Sequence, residues 1–460
     1  NLAQTIVFDN VGELKSNAAY VAECSEVIVM GGETLVSSNA LASCPNLKSF
    51  RAEGRVSLRS GALFYCHALE TLELNENFVS VAYDAVQNCN EFIGYTQAEG
   101  CEQFVISDGI LFVDGSARLP RKWMGVNETL TIPKGIPKVT LESETLYSLD
   151  TKIFTKIVLN ADVEQFSAAG VPAESYELAQ ESEYLKVEDG VLFSADGTKL
   201  LAYPSQKADI NYIVPESVTE ISDYAFAYAE YLKELDMGPN TEKIGIYSFQ
   251  GTQISELIFS PKLKLIGEYA FSNAELTSVV LPDTVESIGR YAFYSATITE
   301  RIKLPAGLKE IGAHAFRFCY IDEIEIPEGV TSIGEYAFYH SSLKKVIFPE
   351  SLIKIGQYAF ASTQLEEVTL PQNLESVDDF AFDHCSALQT VTTESADVAF
   401  GQNCFFETPF LSEGKTAEDG ALYLGNTIFA LFDEGESLEV RYGTKEIKSL
   451  ESLKIKSLKL

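Results

Sequence analysis

The eight cysteines and four histidines are the side chains of this 460-residue chain best suited to bind a metal ion or act as nucleophiles. The sequence contains no Cys-x-x-Cys pair, His-Glu-x-x-His run, Gly-x-Ser-x-Gly elbow or phosphate-binding glycine loop. His340 and His384 are separated by two copies of a repeat, which is too far for one metal ion to bind both. The 67 acidic residues are so numerous that pairs of them carry no information. The sequence therefore predicts no catalytic, cofactor-binding or metal-binding residues, and a protein that is not an enzyme.

Five of the cysteines recur at one position of that repeat. Three residues after each of a series of phenylalanines lies a small side chain, and this slot holds Ala, Ser and Thr as well as Cys319 and Cys385. Near the N-terminus the same slot holds Cys44, Cys66 and Cys89. Because Ala, Ser and Thr replace Cys there, we interpret these thiols as small apolar side chains that fill a tight position. The alternative is a disulfide or metal ladder, and fewer than eight free thiols in denaturant would reveal bridges.

The repeat is marked by the motif IGEYAF and its variants. Successive copies end on Phe226, Phe249, Phe271, Phe293, Phe316, Phe338, Phe360 and Phe382. The steps between these phenylalanines are 23, 22, 22, 23, 22, 22 and 22 residues. A fixed period in this range is typical of a solenoid, in which each unit is too small to bury its own apolar face and packs against its neighbours.

Each repeat predicts a short strand followed by a turn. Leu365, Val368 and Leu370 show the apolar spacing that leucine-rich repeats place on a strand, and Pro371 ends the strand because it lacks a backbone donor. A column of isoleucines follows, with a glycine after most copies. Glycine permits either a positive φ or a close approach of two backbones. The Ala-Phe pair then places one small and one large residue inward.

A second motif interrupts the repeats three times, beginning at Asp108, Asp189 and Asp419. Each copy predicts two strands joined by a two-residue turn. The predicted turns are Asp114-Gly115, Asp196-Gly197 and Gly425-Asn426. We read residues 140–185 as degenerate repeats. The predicted regions are degenerate leucine-rich repeats in 1–104, two β-hairpin inserts with irregular repeats in 105–212, regular 22- to 23-residue repeats in 213–410, and a third hairpin with a C-terminal cap in 411–460.

The composition excludes several classes of partner. The formal net charge is −33, so nucleic acid and anionic membrane surfaces are poor partners. No run of about 18 apolar residues is present, so the sequence predicts no membrane span. Hydrophobic residues make up 46% of the chain, which is ample for a continuous core. We interpret the acidity as a solvated exterior.

The repeat unit and the hairpin motif DGVLFSADGTKLLAYP together resemble the BspA-like, Treponema-type leucine-rich repeat proteins, over most of the chain. The resemblance implies an α/β solenoid: a leucine-rich-repeat right-handed superhelix with a parallel concave sheet, short helical or 3-10 convex turns and inserted β-hairpins. It also implies a bacterial protein that is extracellular or on the cell surface, after removal of a leader not present in this sequence. Members are associated with adhesion, and they share no catalytic residues and no common ligand.

The outward residues of the predicted strands are where repeat proteins of this kind bind partners. Ile258, Val280 and Ile347 are apolar where solvent is expected. This fits either the β-propensity of an exposed strand or a contact patch. The candidate partner-binding residues are Ile258, Val280, Lys303, Glu325, Ile347 and Thr369.

A tyrosine precedes most of the Ala-Phe pairs and forms a second candidate surface. Such a row either stacks on sugar rings or covers the core as an aromatic ladder whose hydroxyls reach water. The sequence thus supports three functions. The first is an adhesin-like protein that binds a host or bacterial surface protein on its concave face. The second is a glycan-binding surface protein that uses the aromatic rows, and the third is a structural spacer or scaffold within a surface assembly.

Overall fold

The computed structural model describes residues 5–119, 128–143, 154–413, 421–431, 437–439, 444–448 and 457–459. The chain forms two compact units. Unit 1 comprises Asn1–Ala208 with Tyr224–Tyr231, and unit 2 comprises Asp209–Asp223 with Leu232–Leu460. Within each unit, the described residues form stacked coils of short, mostly parallel β-strands, as the repeat predicts. The four predicted sequence regions stay a prediction.

In unit 1 the strands are Thr5–Asp9, Glu13–Leu14, Glu26–Met30, Thr34–Val36, Ser49–Ala52, Val56–Leu58, Thr71–Leu74, Phe78–Val81, Gly94–Gln97, Val105–Ser107, Ile110–Phe112, Ser116–Leu119, Thr129–Thr131, Lys138–Ser143, Lys156–Leu159, Gln165–Ala169, Tyr176–Leu178, Leu185–Glu188, Val191–Ser194 and Lys199–Ala202.

In unit 2 the strands are Asn211–Ile213, Glu220–Ile221, Glu234–Asp236, Lys243–Ile244, Glu256–Ile258, Leu265–Ile266, Glu275–Val280, Ser287–Ile288, Thr297–Lys303, Glu310–Ile311, Glu323–Glu325, Ser332–Ile333, Lys345–Ile347, Lys354–Ile355, Glu367–Leu370, Ser376–Val377, Thr390–Thr393, Ala399–Phe400, Ala421–Leu424, Thr427–Leu431, Ser437–Glu439, Glu446–Ile447 and Ser457–Lys459, with one helix at Pro409–Glu413.

Each regular coil contributes two strands rather than the single strand predicted. The first carries the apolar spacing described above and pairs in parallel with the next coil, as Glu323–Glu325 does with Lys345–Ile347. The second is a two-residue strand at the Ile column, where Ile333 pairs with Ile355. The Gly356 N–H extends this ladder by donating to the carbonyl of Ile333 at 2.8 Å. The Ile column is therefore a backbone ladder as well as a row of core side chains.

The glycines after the Ile column are required by close backbone approach, not by a positive φ. A Cβ built on Gly334 would lie 2.7 Å from the backbone nitrogen of Ala313 in the preceding coil. At Gly289 the corresponding distance to the nitrogen of Glu268 is also 2.7 Å. Neither glycine has a positive φ. Of the two explanations that the sequence left open, the structure supports the close approach.

The predicted short helical or 3-10 turns are not confirmed. Among the described residues the one helix is Pro409–Glu413, and the segments after the Ile column are hydrogen-bonded turns. Each turn contains two residues with a positive φ four positions apart, such as Tyr269 and Asn273, both at 54°. A right-handed helix requires a negative φ at every residue, so these positions interrupt it. The right-handed superhelix stays a prediction.

The Ala-Phe pair forms the core of unit 2, as predicted. The Ala and Phe side chains are fully buried from Ala270-Phe271 onward. Neighbouring rings stack nearly parallel with centroids 5.0 to 5.4 Å apart. The stacked rings are those of Phe249, Phe271, Phe293, Phe316, Phe338, Phe360, Phe382 and Phe405.

The cysteine slot is buried, as predicted. Cys44, Cys66, Cys319 and Cys385 have no exposed surface, and all eight cysteines are free thiols. The Cys385 thiol donates to the carbonyl of Phe360 at 3.1 Å. Burial raises the pKa of Cys385 to about 11. The Cys385 thiol therefore stays protonated near neutral pH and behaves as a small apolar side chain.

The hairpin inserts differ in detail from the prediction. In the first insert the predicted turn Asp114-Gly115 is present, since Val113 and Ser116 pair antiparallel across it. The strands on either side pair elsewhere: Ile110–Phe112 pairs antiparallel with the preceding strand Val105–Ser107, while Ser116–Leu119 pairs in parallel with Lys138–Ser143. The Asp-Gly at the start of the motif is itself a tight turn, because both Asp108 and Gly109 have a positive φ.

The other two inserts confirm the antiparallel pairing. Val191–Ser194 pairs with Lys199–Ala202, so Asp196-Gly197 lies in a connection longer than the predicted two residues. The Asp196 carboxylate shapes it by accepting hydrogen bonds from the backbone N–H and the hydroxyl of Thr198. In the third insert Leu424 pairs with Thr427 across a two-residue turn, while Asp419 lies outside the described residues.

The stretch from 140 to 185 continues the parallel pairing. Lys138–Ser143 pairs with Gln165–Ala169, and Lys156–Leu159 pairs with Tyr176–Leu178. Residues 144–153 of this stretch lie outside the described residues. The side chains of Phe154, Ile157 and Leu159 belong to a core cluster of unit 1. These contacts fit the interpretation of the stretch as degenerate repeats.

Candidate functional site

The outward side chains of the longer strands in unit 2 form one surface, which we call the strand face. It is carried by Asn211–Ile213, Glu234–Asp236, Glu256–Ile258, Glu275–Val280, Thr297–Lys303, Glu323–Glu325, Lys345–Ile347, Glu367–Leu370 and Thr390–Thr393. Side chains on a strand alternate between two sides. In Lys345–Ile347 the central Val346 is buried and its two neighbours are exposed, so every coil presents at least two side chains on this face.

All six candidate residues lie exposed on the strand face. Ile258 is 60% exposed, Ile347 47% and Val280 45%. Lys303, Glu325 and Thr369 are exposed at the equivalent position of their own strands. The backbone register pairs Val280 with Lys303 and Glu325 with Ile347. The structure therefore places these residues in one column across neighbouring coils, as the repeat spacing implies.

The strand face is not one continuous sheet. Glu275–Val280 pairs with Thr297–Lys303, and Glu323–Glu325 pairs with Lys345–Ile347, as separate two-stranded sheets. The break between the two follows an irregularity in the preceding coil. Ile298 and Ile302 are four residues apart, whereas Leu276 and Val279 are three apart, and the register shifts between Leu276 and Ser278. The 23-residue step between Phe293 and Phe316 spans this extra residue.

A cavity of about 870 Å³ lies on the strand face at this break. Its lining includes Thr297, Arg301, Tyr320, Glu323, Lys345 and Ile347. Two of the six candidate residues, Glu325 and Ile347, line it as well. Its volume is within the range of small-molecule and peptide pockets. Bulges often occur next to binding sites, and the cavity lies beside the strand that contains the extra residue.

The cavity carries charges of both signs. Arg301 on one strand is followed by Glu323 and then by Lys345 on the next two. Lys344 and Asp322 form an ion pair across neighbouring coils at 3.1 Å. Within the described residues Arg301 makes no ion pair. The cavity thus contains the guanidinium of Arg301, which forms no ion pair with a described residue, and the exposed side chain of Ile347, together with the carboxylates of Glu323 and Glu325.

Two exposed residues on or beside this face were not identified from the sequence. Ile213, which pairs in register with Asp236, is 72% exposed, and Tyr320, which lines the cavity, is 63% exposed. The signal for Ile213 was the following Val214-Pro215, because an apolar residue and a proline also end the strands that precede Pro282, Pro305, Pro327, Pro349 and Pro371. The signal for Tyr320 was an aromatic residue directly after the small slot, where other coils carry polar residues.

The tyrosine column forms a ladder of stacked rings. Neighbouring centroids are 4.3 to 5.0 Å apart, and the planes are nearly parallel. The stacked rings are those of Tyr247, Tyr269, Tyr291, His314, Tyr336, Tyr358 and Phe380. Because each inner ring has neighbours on both faces, those faces are not available to sugar rings. This geometry favours the structural interpretation of the column.

His314 is the one titratable imidazole in this ladder, and its environment keeps it neutral. It is buried between Tyr291 and Tyr336. Burial, together with the cations of Arg290 and Arg317, lowers the pKa of His314 to about 4. Nη1 of Arg317 lies 3.4 Å from Nδ1 of His314. Since a guanidinium can only donate, the His314 proton is assigned to Nε2.

No cluster of three or more His, Cys, Asp or Glu within the described ranges is arranged to hold a metal ion. The helix in the described part of the chain is too short to cross a membrane.

Coils of two parallel strands with inward Ile, Ala and Phe columns define a leucine-rich-repeat solenoid. More particularly, the chain belongs to the BspA type leucine rich repeat region family, whose model matches six copies over residues 1–102, 205–322 and 286–412. This confirms the resemblance seen in the sequence. No curated protein matches the chain.

Several solved structures are similar in fold. A leucine-rich repeat protein from Bacteroides ovatus is 15% identical with a TM-score of 0.43, and the match covers 79% of each chain. The pneumococcal vaccine antigen PcpA is 17% identical with a TM-score of 0.38, covering 87% of this chain and 89% of PcpA. A leucine rich cell surface protein from Faecalibacterium prausnitzii is 16% identical with a TM-score of 0.34, covering 86% of this chain and 88% of that protein.

Proposed function

We propose that this is a non-catalytic, adhesin-like protein, exported to the cell surface or secreted, that binds a protein partner on the strand face of unit 2. Membership of the BspA type family supports a surface location, because members are associated with adhesion. Repeat proteins of this kind use their extended sheet surface for recognition.

The observation that carries the proposal is the row of branched apolar side chains on an otherwise polar face. Ile258, Val280 and Ile347 expose 45 to 60% of their surface to water. Neighbouring positions in the same strands are charged, such as Glu256 and Lys345. Apolar anchors within a polar surround are the usual composition of a protein-binding surface.

The cavity at the break in the sheet supports a specific rather than a general contact. Its lining includes both the exposed Ile347 and Arg301, which forms no ion pair within the described residues. Arginine and apolar anchors in a recessed position are enriched among residues that dominate binding energy. We infer that a partner inserts an apolar side chain and a carboxylate there.

The test is an array of host matrix proteins and bacterial surface proteins probed with the full chain. A partner found there is then measured with the double variant Ile258→Asp and Ile347→Asp. We expect its affinity to fall more than tenfold, because each substitution places an unpaired carboxylate in a desolvated contact. The matched control is Ile246→Asp with Ile353→Asp, two exposed isoleucines of unit 2 off the strand face.

Equal binding by the double variant and the wild-type protein would contradict a strand-face site. An equal loss in the control variant would show that added negative charge alone weakens binding. If no protein on the array binds, the spacer or scaffold function is favoured.

A further inference from the structure

Two arginines of unit 2, Arg290 and Arg317, lie close to the buried side chain of His314. Nη1 of Arg317 donates to Nδ1 of His314 at 3.4 Å. The guanidinium of Arg290 lies 4.9 Å from the ring centre of Tyr291, which stacks on His314 at 4.3 Å. Within the described residues neither arginine forms an ion pair, and Nε of Arg317 is buried without a hydrogen-bond partner.

The absence of an ion pair with a described residue at both arginines is unexpected in a chain with 67 acidic and 34 basic residues. Elsewhere in unit 2, exposed lysines pair with carboxylates of neighbouring coils, as Lys264 does with Glu242 and Lys354 with Asp378. Two cations close to one buried imidazole raise the electrostatic energy of the site. An anion bound between them would lower it.

The residues around the arginines are aromatic. Tyr294 and Tyr339 directly follow the core phenylalanine of their coils, Arg317 takes that position in the coil between them, and Phe318 is the next residue. Their rings pack edge to face at 5.6 and 5.9 Å. The guanidinium of Arg317 lies 5.0 Å from the Phe318 ring centre and 5.1 Å from that of Tyr339. The position directly after the core phenylalanine holds Ala, Gln, Ser or Asp in the other regular coils and Phe406 in the last one, so an arginine between two tyrosines occurs there only in these three coils.

We propose that this surface, formed by Arg290, Arg317, Tyr294, Phe318 and Tyr339, binds an acidic saccharide. A planar guanidinium held on aromatic rings has a fixed orientation and can still donate two parallel hydrogen bonds to a carboxylate or sulfate. The half-exposed rings provide the apolar surface on which the C–H face of a sugar packs. An acidic saccharide presents both groups together. The site is separate from the strand face and does not depend on the proposed protein partner.

The experiment measures binding of the full chain to three oligosaccharides by isothermal titration calorimetry at low salt. The probes are a heparin hexasaccharide, which carries sulfates and carboxylates, a hyaluronan hexasaccharide, which carries carboxylates only, and neutral maltohexaose. We expect binding of at least one acidic probe, weakened by added salt, and none of maltohexaose. Comparison of the two acidic probes shows whether the group recognised is sulfate or carboxylate.

Arg317→Gln and Arg290→Gln are each expected to raise the Kd at least tenfold. The matched control is Arg59→Gln, which removes the charge of an exposed arginine in unit 1 and is expected to change the Kd less than twofold. Arg290 is exposed, so its variant reports on the site even if Arg317→Gln unfolds the coil. The strand-face variant Ile258→Asp with Ile347→Asp is expected to keep its saccharide binding.

A second readout is the imidazole of His314. We expect its NMR titration to move to higher pH when the acidic probe is bound, because a bound anion stabilises the charged imidazolium. Absence of binding by both acidic probes at millimolar concentration would overturn the proposal. An equal loss on Arg59→Gln would overturn it too, as would a poly-glutamate peptide that binds as tightly as the saccharide, since that result would identify an acidic-peptide site.

Discussion

The first coils of unit 1 and the regular coils of unit 2 share a backbone but not a set of side chains. In unit 1, Asn39 and Ser43 have positive φ values of 60° and 57°, as Tyr269 and Asn273 do in unit 2. The Leu41 N–H donates to the carbonyl of Ala62 at 3.1 Å, which is the same link to the next coil that the phenylalanine column makes.

The side chains on this common backbone differ column by column. Leu41, Leu63 and Val86 stand in unit 1 where unit 2 has stacked phenylalanines, and all three are buried. Asn39 and Gly61 stand where unit 2 has the tyrosine ladder. Asparagine and glycine are the residues that adopt a positive φ most easily, whereas an aromatic residue does so at a cost. Backbone hydrogen bonds between coils, together with a small residue in the slot, are thus enough to form the coil in unit 1. In unit 2 the stacking of the rings offsets the cost of the positive φ of its tyrosines.

The largest expected effect comes from removing one ring of the phenylalanine stack. We expect Phe316→Ala to lower the free energy of unfolding by about 3 to 5 kcal/mol, because it opens a cavity in a fully buried position. It also removes two stacking contacts at 5.1 and 5.2 Å. In unit 1, Leu63→Ala is expected to cost less, about 2 to 3 kcal/mol. Denaturant unfolding followed by circular dichroism measures both.

Phe406→Ala is the control for this comparison, since Phe406 is 43% exposed and is expected to cost less than about 1 kcal/mol. If Leu63→Ala costs as much as Phe316→Ala, stacking adds no stability beyond burial. A melting midpoint of Phe316→Ala within about a degree of wild type would show that this column is not core.

The sequence was enough to predict what the repeat constrains. The period, the buried Ala-Phe pair and the small slot that holds Cys319 were each readable, because one residue type recurs at a fixed spacing. The positive φ of the tyrosines was not readable, because the residue type argues against it. The break beside Thr297–Lys303 and its cavity accompany a single extra residue, and the repeat pattern does not indicate how that residue changes strand pairing. For the candidate site, the repeat spacing predicted that Ile258 and Ile347 lie on one face. It did not predict the contacts of Arg317 with the aromatic rings.

The glycine column gives the second test of the comparison. Unit 1 has Ser37, Arg59 and Ala82 at this position, each donating the same backbone hydrogen bond that Gly334 donates in unit 2. A Cβ on Gly334 would lie within 2.9 Å of three backbone atoms of the preceding coil. We therefore expect Gly334→Ala to cost about 1 to 3 kcal/mol through overpacking, measured by thermal unfolding.

The reciprocal change is Ala82→Gly in unit 1, which is expected to cost less than about 1 kcal/mol, from backbone entropy alone. Gly12→Ala is the neutral control, because nothing lies within 4 Å of a Cβ built there. If Gly334→Ala lowers the melting temperature no more than Gly12→Ala does, the coils of unit 2 can move apart as easily as those of unit 1. The close backbone approach would then not require glycine at this position.

The smallest expected effect concerns the single imidazole in the tyrosine ladder, whose positions are held by Asn39 and Gly61 in the first coils of unit 1. The pKa of His314 in the folded protein is about 4, below its ordinary value of 6.5. Between these two values the unfolded chain binds a proton that the folded chain does not, so lowering the pH across this window destabilises the fold. His314→Tyr restores the ladder residue of the other coils and removes this group. We expect the variant to gain about 1 to 2 kcal/mol over wild type between pH 7 and pH 4, measured by denaturant unfolding at each pH.

His340→Tyr, at an exposed position in the neighbouring coil, is the matched control and is expected to show no such gain. A difference between His314→Tyr and wild type that does not change with pH would mean that His314 accepts a proton within the stack. The ladder would then tolerate a cation between two rings, with the ring faces of Tyr291 and Tyr336 stabilising it. In that case the stacked rings of unit 2 would stabilise a charge between them rather than exclude it. The stability that the tyrosines add, compared with Asn39 and Gly61 of unit 1, would then be electrostatic.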